Sequence, residues 1–162
     1  MSKLTATELF KLFEGAIASS GMVAKVLSHE KPYRFGVQFS DGRTAILRVY
    51  LWNCTHGGGA ARADDEYRIQ VTGVVPYSAT GEIALLLGWH ENHQVFVAWD
   101  MLYHEGQNSN SPSTQVREDI LMAAATSGVA SGIRGNGEYV VAFRSDCLER
   151  YLLNMSALHR GH

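Results

Sequence analysis

Residues 49–71 read Val49-Tyr50-Leu51-Trp52-Asn53-Cys54-Thr55-His56-Gly57-Gly58-Gly59-Ala60-Ala61-Arg62-Ala63-Asp64-Asp65-Glu66-Tyr67-Arg68-Ile69-Gln70-Val71. The stretch begins and ends with the two-residue alternation of a strand. Val49 and Leu51 alternate with Tyr50 and Trp52, and Tyr67, Ile69 and Val71 alternate with Arg68, Gln70 and Thr72. Between them lies a loop with three successive glycines, a histidine, an arginine and three acids. Glycine loses the most backbone freedom on folding, so such a loop is costly to order. Loops on a strand scaffold are where binding and catalytic residues concentrate. The functional region is therefore expected here, against the plainer reading of a solvated hairpin loop.

Toward the N-terminus, Thr5-Ala6-Thr7-Glu8 has the form of a capping box. It predicts a helix with Leu9, Leu12, Phe13, Ala16 and Ile17 on one face and Gly21 as its stop. A short strand over Met22–Leu27 ends before Lys31-Pro32. Tyr33, Phe35, Val37 and Phe39 alternate, and Asp41-Gly42 predicts a two-residue hairpin turn into a strand over Thr44–Trp52.

Toward the C-terminus, a strand over Tyr67–Val75 is followed by the turn-rich Pro76–Gly81. The nearly continuous apolar run Ile83–Trp89 predicts a central strand buried on both faces. His90-Glu91-Asn92-His93 makes a turn, and Val95–Trp99 returns. Met101–Ser111 is polar and loop-like. Ser111-Pro112 predicts a helix cap with proline at the first helical position, the helix running to about Ser127 with Val116, Ile120, Ala123 and Ala124 buried and Gly128 as its end. Arg134-Gly135-Asn136-Gly137 has the chemistry of a tight turn. Tyr139–Phe143 reads as a last strand, and Ser145 as the cap of a final helix with Leu148, Tyr151, Leu152 and Met155 on one face. The fold class is α+β: a single domain with a curved, largely antiparallel sheet, and helices at the N-terminus and in the C-terminal half. Most strand connections are too short for parallel crossovers.

The length of 162 residues suits one domain with a real core. A net charge of −2 excludes a global basic field, so nucleic-acid binding needs a local patch. No apolar run approaches the roughly 18 residues of a membrane span, and the N-terminus lacks the form of a secretion signal. Cys54 and Cys147 form neither a disulfide framework nor a Cys-x-x-Cys motif, so a reducing cytoplasm is expected.

Several catalytic readings fall away on composition. His56-Gly57-Gly58-Gly59 is like the oxyanion loop of some lipase-like hydrolases, but the Gly-x-Ser-x-Gly nucleophile turn is missing. No Gly-Lys-Ser/Thr follows the glycines, which excludes a P-loop. His90-x-x-His93, with Asp100 and His104 nearby, matches no established metal-ligand spacing. Asp64-Asp65-Glu66 would need a lysine on the following strand to form a metal-dependent nuclease core, and that strand carries Arg68 and Gln70. Recognition uses these residues more readily. Arginine forks match guanine edges and phosphates, and Gln and Asn amides match adenine edges. Trp52, Trp89 and Trp99 at strand ends suit core packing first, with a base-stacking wall or a protein-interaction surface as alternatives.

The run Trp52–Gly59 with Asp65–Gln70 resembles an N-terminal domain of bacterial HNH-type restriction endonucleases. So do Leu86-Leu87-Gly88-Trp89, Phe96–Asp100, Ser113–Arg117, Gly135–Glu138 and Ala142-Phe143-Arg144. The resemblance spans about residues 33–155. It implies the recognition half of a restriction enzyme whose zinc-bound nuclease module follows; that module's Cys-x-x-Cys and His-Asn-His signatures are not in this chain. The abrupt end at Leu158–His162 suits the N-terminal part of a longer enzyme. Residues 1–162 are thus expected to form one domain that reads a plain sequence or a modified base in duplex DNA. The expected contacts are His56, Gly57, Gly58, Arg62, Arg68, Gln70, Ser113, Gln115, Arg117, Asn136 and Arg144. No catalytic residue, metal or cofactor is assigned, no membrane partner is expected, and any homodimer would form through the full-length enzyme. The alternative is a stand-alone metal-dependent hydrolase or nuclease built on His56, Asp64, Asp65 and Glu66.

Overall fold

Helix α1 (Ala6–Ser19) starts as its sequence requires. The Glu8 amide donates to Thr5 Oγ1 at 3.1 Å, and the Thr5 amide donates to Glu8 Oε1 at 2.8 Å. The computed structural model describes residues 3–56, 64–105 and 113–161, with Ser113 described through its backbone. After α1 come β1 (Val23–Ser28), β2 (Tyr33–Gln38), β3 (Thr44–Asn53), β4 (Glu66–Gln70), β5 (Ile83–His90) and β6 (Val95–Trp99). A 3-10 turn at Met101–Tyr103 precedes β7 (Ser113–Arg117), α2 (Glu118–Ser127), β8 (Val129–Ile133) and β9 (Tyr139–Arg144). A second 3-10 turn at Ser145–Cys147 leads into α3 (Leu148–Leu158).

Seven strands form one sheet in the order β1-β2-β3-β5-β6-β9-β8, and β4 and β7 form a separate two-stranded ribbon. All pairings are antiparallel except β3 with β5, where Leu47 faces Ile83 and Asn53 faces Trp89 in parallel register. The long connection between those two strands permits the parallel pairing, and β4 lies within it. The fold is α+β, as expected.

Alternation along each strand builds two cores. Leu47, Val49, Leu51, Leu85, Leu87, Trp89, Phe96, Val141 and Phe143 face α1 and α3. Tyr50, Trp52, Leu86, Val95, Val97, Trp99, Val140 and Ala142 face α2 and the ribbon. Strand β5 is buried almost throughout, because both faces are covered. The three tryptophans are core residues, at 8%, 2% and 2% exposure for Trp52, Trp89 and Trp99. A protein-interaction surface built on them is thereby excluded. No helix among the described residues is long and apolar enough to cross a membrane.

Several local expectations need correction. Residues 113–117 are a strand, not the first turn of a helix, and α2 starts only at Glu118. Thr114 and Val116 are buried at alternate positions, and pairing with β4 satisfies a backbone that would otherwise leave β4 half-paired. Strand β4 stops at Gln70 rather than continuing to Val75. The β2–β3 turn is one residue longer than expected: the Phe39 amide donates to the Arg43 carbonyl, leaving a Ser40-Asp41-Gly42 loop with Gly42 at φ +93°. His90 closes β5 instead of starting a turn. Strand β8 was not expected. Cys147, not Ser145, occupies the cap position of α3.

Candidate nucleic-acid interface

The ribbon grows out of the end of β3. The Cys54 amide still donates to the Trp89 carbonyl at 2.8 Å, whereas Thr55 has already moved to β4, exchanging backbone hydrogen bonds of 2.9 and 2.8 Å with Arg68. Its inward side is apolar: Ile69 and Val116 are buried, and Tyr67 is half-buried against the same core. Gly88 in β5 permits this close approach. A Cβ there would lie 2.6 Å from Ile69 Cγ2 and 3.0 Å from Cys54 Cβ.

Strand parity then sends Glu66, Arg68 and Gln70 away from that core. Register pairs Arg68 with Gln115, Glu66 with Arg117 and Gln70 with Ser113 across the ribbon. Two guanidinium and two amide side chains are thus gathered on neighbouring positions of one small surface. Ribbon pairing, rather than a helix start, brings Gln115 and Arg117 beside Arg68 and Gln70. Arg117 is held at 3.4 Å from Asp65 and 3.8 Å from Asp119, all three well exposed. Exposed pairs of this kind contribute little and open readily.

A cavity of about 700 Å³ opens at the β4 side of the ribbon, lined by Trp52, Thr55, His56, Tyr67, Arg68 and Gln70 among others. Asn53 organises its rim. Its amide receives the Leu4 N–H at 2.9 Å and donates to the Leu4 carbonyl at 2.8 Å, which fixes Lys3 at the mouth. Lys31 Nζ stands 4.2 Å above the Trp52 ring, and burial lowers that ammonium's pKa to about 8. A second cleft of about 410 Å³ lies at the β7 side, where Gln115, Arg117, Arg134 and Asn136 meet Glu66.

Beneath the second cleft sits a buried charged cluster that the sequence did not announce. Glu138, fully buried, takes a 2.6 Å ion pair from Arg134, contacts His104 Nε2 at 2.9 Å through both oxygens, and accepts the Asp100 amide at 2.9 Å. Burial alone would raise the Glu138 pKa. The bonds from His104, Asp100 and Arg134 outweigh it and hold the carboxyl below its ordinary value. Arg134 continues to Thr114 Oγ1 and Gln115 Oε1, each at 3.0 Å, so the cluster fixes the Gln115 side chain from below. The only hint in the sequence was Arg134 and Glu138 flanking a tight turn.

The remaining expected contacts are distributed differently. His56 sits at the ribbon's edge with its ring 5.7 Å from Tyr67. Asn136 lies in the β8–β9 turn, where its Oδ1 accepts the Glu138 amide at 3.0 Å. Arg144 is far from both clefts in role: it pairs with Asp146 at 3.1 Å and donates to the Ala125 carbonyl at 3.3 Å, near the C-terminal end of α2. Gly57, Gly58 and Arg62 lie outside the described residues. No group of three or more His, Cys, Asp or Glu side chains among the described residues is arranged to hold a metal ion.

Residues 45–152 match the family model MTaX1, methylase-associated X1. This range takes in both core faces of the sheet, the ribbon, α2 and the buried Glu138 cluster. The description places the chain alongside methylases and suggests an association with restriction–modification; it carries no mention of an HNH nuclease. No curated protein and no solved structure matches the chain.

Proposed function

The chain belongs to the methylase-associated X1 family, and from that premise we propose that it is a specificity domain that reads duplex DNA for a restriction–modification enzyme. One observation carries the reading: Arg68, Gln70, Gln115 and Arg117 gathered on the β4–β7 ribbon. The major groove admits a two-stranded ribbon, and these four side chains are the types that address guanine and adenine edges. Side chains two residues apart on one strand face suit adjacent base pairs. The mixed charge around Arg117 favours readout of bases over simple neutralisation of phosphates. Phosphate contacts fall to Lys3; Arg62, expected from the sequence to do the same, lies outside the described residues. The nuclease that acts on the recognised site, an HNH module by the resemblance above, belongs to another part of the enzyme.

A binding screen tests this reading. Fluorescently labelled duplexes, unmodified and carrying methylated or hydroxymethylated bases, are titrated with the chain at two salt concentrations. The expected result is micromolar or tighter binding to at least one duplex at ~50 mM salt, weakening as salt rises. Absence of any complex with any duplex at that salt sinks the proposal. Supercoiled plasmid incubated with magnesium, manganese or zinc should remain intact; nicking lost in Asp65→Ala would favour the hydrolase alternative.

A further inference from the structure

The cavity beside β4 is concave, whereas side chains that read stacked bases must project into a groove. Arg68 and Gln70 belong to the reading face and to the cavity wall at once. A base inside an intact duplex cannot reach the floor of such a hollow, but a base rotated out of the stack can. We propose that the cavity receives one extrahelical nucleotide of the bound DNA; this inference rests on the reading of the ribbon as a DNA-binding surface.

Four features support it. The volume of about 700 Å³ lies in the range of small-molecule sites and leaves room for a base with its sugar. Half-buried Tyr67 on the lining supplies aromatic surface, as extruded bases require. Gln70 and Asn92 are exposed amides on the lining, and Thr55 and Thr72 add hydroxyls, so donors and acceptors surround the space where a Watson–Crick edge would arrive. Lys3, fixed at the mouth by the Asn53 clamp on Leu4, is placed for the phosphate of the displaced nucleotide.

Extrusion is easiest where the base has lost its partner. The test takes the tightest duplex from the screen and removes the base on one strand at each position in turn. One position, or one per half-site, should bind about tenfold more tightly when its opposite base is missing. Thr72→Trp, an exposed lining position, fills the cavity and should abolish that gain, so that the duplex with the missing base and the intact duplex bind alike. Asn92→Trp repeats the test from the β5–β6 turn should Thr72→Trp lose its circular dichroism. No gain at any position, equal gains at many positions, or a gain untouched by both tryptophan variants overturns the inference and leaves the ribbon reading standing. A screen with no binding duplex at all overturns both.

Discussion

The seven-stranded sheet and the β4–β7 ribbon are both β-structure, but they are held in different ways. The sheet carries continuous apolar rows on both faces, and its central strands β5 and β6 are buried along nearly their whole length. The ribbon has five residues in each strand. Two fully apolar anchors, Ile69 and Val116, attach it to the sheet, and a buried charged cluster stands behind Gln115. An isolated two-stranded ribbon is marginal in water. Its stability is borrowed from the sheet beneath, so its outward side chains are not needed to fill a core.

Changes at the ribbon's supports should therefore be felt much more than changes on its surface. Glu138→Ala strips Arg134 of its buried counter-charge, leaves His104 Nε2 without its partner, and should destabilise the fold by about 3–5 kcal/mol, read as a fall in the urea midpoint. If the variant is as stable as the parent, the cluster does not hold the ribbon. Gly88→Ala drives a methyl into Ile69 and Cys54 and should cost about 1–3 kcal/mol; faster hydrogen exchange in β4 than in β1 would locate the damage. Unchanged exchange in β4 would mean that close approach at Gly88 is not what seats the ribbon.

Acid should act on the same support. Burial holds the His90 pKa below its ordinary value, and the Glu138 pKa is also held low. Each folded value lies below the unfolded one, so the unfolded chain binds more protons and stability falls as pH is lowered. The His90 contribution is lost as pH drops below about 6.5, and the Glu138 contribution as pH drops below about 4.3. In thermal melts across pH 7.5 to 4, His90→Asn should flatten the upper part of the slope and leave the lower part; an unaltered upper slope would remove His90 from the account. The smallest effect is expected at the surface. Arg117→Ala breaks only exposed contacts with Asp65 and Asp119 and should change stability by no more than about 0.5 kcal/mol; a larger loss would make Arg117 a support instead of a reader.

The same contrast governs what was legible in the sequence. Periodicity found α1, β2, β3, β5, β6 and β9, because burial on a sheet face or helix stripe imposes a repeat. It also placed Arg68 and Gln70 on one side of β4, opposite Ile69. Residues 113–117 were misread because Ser-Pro followed by hydroxyl residues satisfies a helix-start pattern, and nothing local reveals that β4 needs a partner. Strand β8, with Gly132 and two alanine- or serine-sized positions, has too little apolar contrast to show a period. The Glu138 cluster joins residues 34 positions apart in sequence, from His104 to Glu138, and no local pattern reports such a contact. Arg144 looked like a reader for want of the Asp146 and α2 contacts that engage it.

The most direct measurement compares Gln70→Ala with the parent chain on its preferred duplex and on unrelated DNA, at one salt concentration and with folding verified by circular dichroism. Gln70 is exposed at the end of β4. The variant should lose about 1–3 kcal/mol of affinity for the preferred site and keep its affinity for unrelated DNA. Equal losses on both, or no loss on either, would contradict the claim that the ribbon reads the bases.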